Sequence, residues 1–205
     1  MQAEQFAKAE IHSSLLGRKC WYAYSGVGHA PRLVLGRKVP RDAAELAVRA
    51  KVAGRRKRDA PATRHPAAQE FEKFHGESEL VIWCSWRLDD ATGPVTSWDD
   101  QADRTQEGIQ RLIGHTVRSV DLGSGWNVRL AFSGNLLLSV LPDHVGPSAR
   151  FDGNWELWRP EQGYLIGTDL ACRVTDRQNR PLELRPAQGR WRVRGQGDSL
   201  RTRRT

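Results

Sequence analysis

Three turns bearing histidine or aspartate are where this sequence could assemble acid–base chemistry or a metal site: His115, the pair Asp143-His144, and Asp152. An imidazole beside a carboxylate can relay a proton. Three or more such ligands with a supporting shell can hold a zinc ion. The spacing favours neither, because the six histidines and three cysteines contain no His-x-x-x-His pair and no paired-cysteine motif, and turn residues account for the same positions. Nucleophilic chemistry fares no better. There is no Gly-x-Ser-x-Gly elbow, and Ser25 and Ser124 stand in glycine-rich turns. Gly26-Val27-Gly28 lacks the third glycine and the following helix of a dinucleotide loop. No catalytic residue, metal ligand or cofactor is assigned on these grounds.

Binding chemistry has more candidates. Arg55, Arg56, Lys57 and Arg58 form one basic run, and Arg201, Arg203 and Arg204 another. Either can neutralise phosphates, with an affinity that falls steeply with salt and carries no base information. The net charge of +8 is unevenly held: residues 37–58 carry +7 and residues 186–205 carry +5, leaving the remainder at −4. The basicity therefore belongs to one insert and one tail, and a solvated linker and tail is the plainer reading of both. Trp191, between Arg190 and Arg192, can stack on a base or fill a partner's groove. Asp99, Asp100 and Asp103, with Glu107 beyond them, offer either an acidic docking strip or a solvated face. Trp83, Trp86, Trp155 and Trp158 recur at matched positions, which favours core packing for them.

The elements that must position these residues form a β-rich frame that the sequence states twice. Residues 112–158 read as a four-strand meander: Leu112-Ile113-Gly114, then Val117 and Val120, a turn at Gly123-Ser124-Gly125, the alternation Val128/Leu130/Phe132, and a hairpin at Ser133-Gly134-Asn135. Leu136 to Leu141 and Trp155 to Trp158 complete it. At an offset of 97 residues, Gly17 falls on Gly114, Gly26 on Gly123, Leu33 on Leu130 and Leu35 on Phe132. At an offset of 72, Trp83-Cys84-Ser85-Trp86-Arg87 falls on Trp155-Glu156-Leu157-Trp158-Arg159.

The expected fold is α+β and mostly β: two degenerate copies of a four-strand antiparallel meander packed together about an approximate two-fold, with a helical insert in the first copy. Its divisions are 1–98 for the first copy with a basic insert at 41–76, an acidic linker or loose helix at 99–110, 111–185 for the second copy with added strands, and a disordered basic tail at 186–205. A short amphipathic helix is expected over residues 1–12. Asp42 is placed as an N-cap for a helix from Ala43, and a second helix over 66–75 turns Phe71 and Phe74 to the body. Val39-Pro40 is expected to interrupt the first copy, since proline cannot donate to a ladder. Glu79 to Leu88 alternates as one central strand.

The totals limit the class. At 205 residues the chain can bury a core without disulfides, and an odd cysteine count of three suits a reducing cytoplasm. No leader-like apolar stretch opens the chain, and no segment approaches the roughly 18 apolar residues of a membrane span. The pattern Leu-Ile-Gly-x-x-Val-x-x-Val, Val-x-Leu-x-Phe-Ser-Gly, Leu-x-Val and Trp-Glu-Leu, over 112–159 and degenerately 15–88, resembles that of many short, uncharacterised bacterial β-meander proteins. Some of those sit among immunity or defence genes. The resemblance implies a small interaction protein and brings no catalytic residues with it. The leading expectation is a non-catalytic protein acting through protein–protein contact. The alternatives are nucleic-acid binding through the insert and tail, and an enzyme built around His115, Asp143 and His144.

Overall fold

The spacing of Ala7 and Ile11 gives α1 (Gln2–Leu15), whose buried side they form with Leu15. Gly17 ends this helix with a φ of +74°, the left-handed conformation that glycine adopts without strain. The computed structural model describes residues 2–26, 30–43, 45–47, 66–143, 153–176, 180–185 and 190–193. Then come β1 (Cys20–Ser25), β2 (Pro31–Pro40), α2 (Pro66–Lys73), β3 (Phe74–Ile82), β4 (Ser85–Asp90), β5 (Gly93–Ser97) and α3 (Ala102–Gln110). The second half supplies β6 (Val117–Leu122), a short 3-10 turn at Ser124–Trp126, β7 (Val128–Phe132), β8 (Leu136–Leu141) and β9 (Gly153–Trp158). It closes with β10 (Gln162–Gly167), β11 (Cys172–Asp176), β12 (Leu182–Arg185) and β13 (Arg190–Val193).

The fold is α+β and mostly β, with two antiparallel sheets. One is six-stranded in the order β1-β2-β3-β9-β10-β11, the other five-stranded in the order β5-β4-β8-β7-β6, and β12-β13 is a separate hairpin. In each half three strands run as the expected meander. The fourth does not stay with them: β4 leaves β3 to pair with β8, and β9 leaves β8 to pair with β3. The halves therefore exchange their closing strands, where two self-contained meanders laid face to face were expected.

The exchange breaks the run Glu79 to Leu88, expected as one strand. At Trp83 and Cys84 the chain crosses between sheets, and both residues donate their N–H groups to the Asn154 carbonyl (2.8 and 3.1 Å). The alternation was still a true signal of burial. Leu80 and Ile82 face the common core from the first sheet, and Trp86 and Leu88 face it from the second. It also changes how the tryptophans correspond. Leu33 and Leu130 pair with Leu80 and Leu138, which pair in turn with Leu157 and Leu88, so the ladder positions set Trp86 level with Trp155 at an offset of 69, where 72 was expected.

One row of side chains in register, Ala23, Leu33, Leu80, Leu157, Tyr164 and Val174, crosses the whole six-stranded sheet, and each is at most 4% exposed. Leu88, Leu138, Leu130 and Val120 form a matching buried row across four of the five strands of the other sheet. Each fully buried leucine contributes on the order of 1.5–3 kcal/mol. α1 and α3 belong to the same core through Ala7, Ile11, Leu15 and Ile109. Four backbone bonds tie the halves at their openings. Gly17 donates to Val117 (2.9 Å) and Gly114 to Cys20 (2.7 Å); Cys20 donates to His115 (2.8 Å) and Val117 to Arg18 (2.9 Å). Shifting residue numbers by 97, forward in the first half and back in the second, turns one bond of each pair into the other.

Three further expectations change. Residues 102–110, read as a linker or loose helix, form α3, which packs on β1 and β5. Its buried side is Thr105, Gly108 and Ile109, and Gly108 lies so close to β5 that a Cβ there would come within 2.2 Å of Thr96 Cγ2. Val39 and Pro40 do not interrupt the ladder; they pair with His75 and Phe74. β1 pairs only as far as Leu35, so Pro40 ends a strand with one neighbour, and its missing N–H costs no central bond. In the stretch read as a disordered tail, 190–193 forms β13 paired with β12, Trp191 standing opposite Leu184.

Candidate functional site

The insert that departs from the 97-residue correspondence also builds an opening. After Leu35 the register of β2 shifts at Gly36, and β2 and β3 run on together to Pro40 and Phe74. α2 then folds over one end of the outer face of the six-stranded sheet. Phe71 stacks on Tyr22 with centroids 4.8 Å apart, and Val34 completes a small cluster beneath it. Asp42 caps the next turn as expected, accepting the Glu45 N–H at 2.8 Å. Between this corner and β9 lies a cleft of about 460 Å³, lined by Arg41, Asp42, Glu45, His75, Gly76, Glu79, Trp158 and Arg159.

Each lining group is held by its element. Arg41, with 6% of its side chain exposed, donates its backbone N–H to Lys73 (3.0 Å) and its Nε to the Phe71 carbonyl (3.3 Å), with its guanidinium 5.1 Å from the Phe71 ring centre. Its Nη2 lies 3.6 Å from Glu79 Oε1, and its Nη1 3.9 Å from Glu45 Oε1. Glu79 also faces Arg32, at 3.8 Å. His75 is buried, and its Nδ1 lies 3.0 Å from the Gly76 carbonyl; a carbonyl only accepts, so Nδ1 carries the proton. Arg159 reaches Glu10 at 3.9 Å. Glu10 in turn accepts from the Tyr164 hydroxyl (2.5 Å) and from Gln162 Nε2 (3.2 Å). Burial, reinforced by the Glu10 carboxylate, raises the Tyr164 phenol above its ordinary pKa.

Trp158 forms the far wall. It stands opposite Glu79 on β3 and Gly163 on β10. A Cβ at Gly163 would come within 2.5 Å of the indole ring carbons, so the ring lies over the β10 backbone where only glycine leaves room. Its Nε1–H donates to Glu156 Oε2 at 2.6 Å, which fixes the ring's orientation.

The residues singled out in the sequence lie elsewhere. His115 sits 3.2 Å from Ser133 Oγ at the β7–β8 turn, whereas Asp143, past the other end of β8, accepts from the Ser85 N–H (3.1 Å). A six-residue strand of roughly 20 Å separates them, so they form no common cluster. His144 and Asp152 lie outside the described residues, as do Arg55, Arg56, Lys57, Arg58, Arg201, Arg203 and Arg204. Of Trp191 only the backbone pairing is described. Asp99 and Asp103 are exposed, as is Trp98 at 47%. Asp100 serves the turn: the Ser97 N–H bonds to it at 2.8 Å and holds its carboxyl below the usual range, with Arg104 3.5 Å away.

Of the four matched tryptophans, Trp86 and Trp155 are buried as expected, while Trp83 and Trp158 are half-buried. In the basic stretch 37–58 the described basic residues are ion-paired: Arg37 with Glu77, Lys38 with Glu70, and Arg41 with Glu79. Burial pushes the Cys20 and Cys84 thiols up to about 12, so neither is a nucleophile at neutral pH. Among the described residues no three His, Cys, Asp or Glu side chains are grouped to hold a metal ion, and no helix is long and apolar enough to cross a membrane.

The cleft escaped sequence reading because its parts come from three distant stretches. The available signal was at the roots of the insert: Arg41 and Asp42 at one, His75 and Glu79 at the other. No family model, no curated protein and no solved structure matches the chain.

Proposed function

We propose that this is a non-catalytic binding protein that acts through protein–protein contact, with the insert-built cleft as its recognition site. The observation that carries this reading is the composition of the opening: about 460 Å³ walled by an oriented indole and five acidic and basic side chains. Its size is that of a recognition pocket, and its lining is mostly charged, as suits a polar contact on a partner. Its ionisable groups face one another at ion-pair distance, Arg41 with Glu79 and Glu45 (3.6 and 3.9 Å) and Arg159 with Glu10 (3.9 Å). Such pairs position a ligand better than they move protons. The reading we favour, supported by the resemblance noted in the sequence, is an accessory of bacterial immunity or defence that works in the cytoplasm. We also propose that the two halves descend from one duplicated unit, a reading supported by the 97-residue correspondence and the reciprocal bonds between Gly17, Val117, Gly114 and Cys20.

The test is capture of partners from cells of the source organism by wild-type protein and by a Glu79→Gln/Trp158→Ala variant of equal melting temperature. A partner held by the wild type and lost by the variant is expected; a partner held equally by both rejects the cleft as the recognition site. Titration with duplex and single-stranded DNA at rising salt, beside a chain ending at Arg185, separates this from nucleic-acid binding. Salt-steep binding weakened by the truncation would favour that second reading, which the segregation of charge into 37–58 and 186–205 supports.

A further inference from the structure

Resting on the cleft as a recognition site, we infer that the group it takes is a cation, the guanidinium or ammonium of an arginine or lysine side chain presented by a partner protein. The first support is the platform. Trp158 lies over the Gly163 backbone and is pinned by Glu156, so one ring face is covered and the ring borders the opening. A cation over an indole face is attracted by the ring quadrupole, and tryptophan is the strongest such partner.

The second support is the charge beside it. Glu79 is the direct cross-strand neighbour of Trp158. Its two oxygens lie 3.6 Å from Arg41 and 3.8 Å from Arg32, beyond the roughly 2.7–2.9 Å of a charge-assisted hydrogen bond. The pairs attract through space without closing the carboxylate's lone pairs, which leaves them able to accept from an incoming N–H. Around the opening the carboxylates of Asp42, Glu45 and Glu79 outnumber the guanidinium groups of Arg41 and Arg159. An anionic ligand would meet three carboxylates against two guanidinium groups in the lining, whereas a cation meets one opposite charge in excess. The volume of about 460 Å³ suits one long side chain and is too small for a strand of nucleic acid.

A small free guanidinium compound offers the same chemistry, and the experiment separates the two sources. The indole N–H resonance of Trp158, assigned with Trp158→Phe, is followed by NMR during titration of the full chain. The probes are acetyl-arginine amide, acetyl-glutamate amide, inorganic phosphate, agmatine and a Gly/Ser peptide with one central arginine. The arginine amide and the peptide are expected to shift the resonance saturably, with the peptide at least about tenfold tighter than agmatine because flanking backbone adds contacts. Glu79→Gln, checked for an unchanged melting temperature, weakens the peptide by about tenfold or more, as loss of a charged acceptor requires, and Glu79→Asp recovers part of it.

Binding of phosphate or the glutamate probe in place of the cations would overturn the cation assignment and leave the recognition site standing. Agmatine as tight as the peptide would overturn the protein side chain as source. No shift with any probe would reject both this inference and the cleft as a recognition site.

Discussion

Tyr164 reports on the buried edge of the site. Its phenol is raised by burial and by the Glu10 carboxylate it bonds, so the folded chain keeps this proton where the unfolded chain, near its ordinary pKa of about 10, has lost it. Stability from this group is therefore whole below about pH 10 and falls as pH rises above that value, by at most about 1.4 kcal/mol per pH unit. Chemical denaturation of wild type and Tyr164→Phe at pH 8, 10 and 11 checks the sign. The variant is expected to lose less stability between pH 8 and 11 than the wild type, and equal losses would show that Tyr164 does not hold its proton. At this scale the sequence was partly readable. Asp42 was legible as a cap because a cap is local. Trp158 was not legible as a cleft wall: the Trp-x-x-Trp spacing occurs in both halves, and matching the two pairs in order assigned it to the core with Trp155.

At the scale of elements, α3 shows how a helix can be held by a missing side chain. Gly108 packs on Thr96, with a hypothetical Cβ 2.2 Å from Cγ2 and 2.6 Å from Cβ of that residue. Gly108→Ala gains helix propensity but must push α3 off β5, and overpacking of this kind costs about 1–3 kcal/mol. Urea denaturation should show that loss and its partial relief by Thr96→Ser; a stabilised Gly108→Ala would mean that α3 is not seated on β5. The sequence left this stretch between a linker and a loose helix for the same reason. A buried stripe of Thr105, Gly108 and Ile109 offers only one large apolar residue to a periodicity search. The insert was recognised because it interrupts a repeat, yet what it builds depended on β9, a strand more than a hundred residues beyond Arg41.

At the scale of the molecule, the two sheets are completed by strands from opposite halves. Glu79 meets Trp158 only because β9 crosses to lie beside β3. Period-2 alternation says which face of a strand is buried and is silent on which sheet the strand joins, so the pattern fitted two closed meanders as well as two exchanged ones. The exchange makes each half the other's template: without the first half, β9 has no β3, and without the second, β4 has no β8. The measurement that tests this most directly is split-chain complementation with residues 1–98 and 99–205, followed by light scattering and thermal melting. Neither fragment alone should give a cooperative monomeric melt, and the mixture should give a one-to-one complex with the melting transition of a folded protein. A 99–205 fragment that melts cooperatively as a monomer would contradict the exchange of strands and, with it, the placement of the cleft.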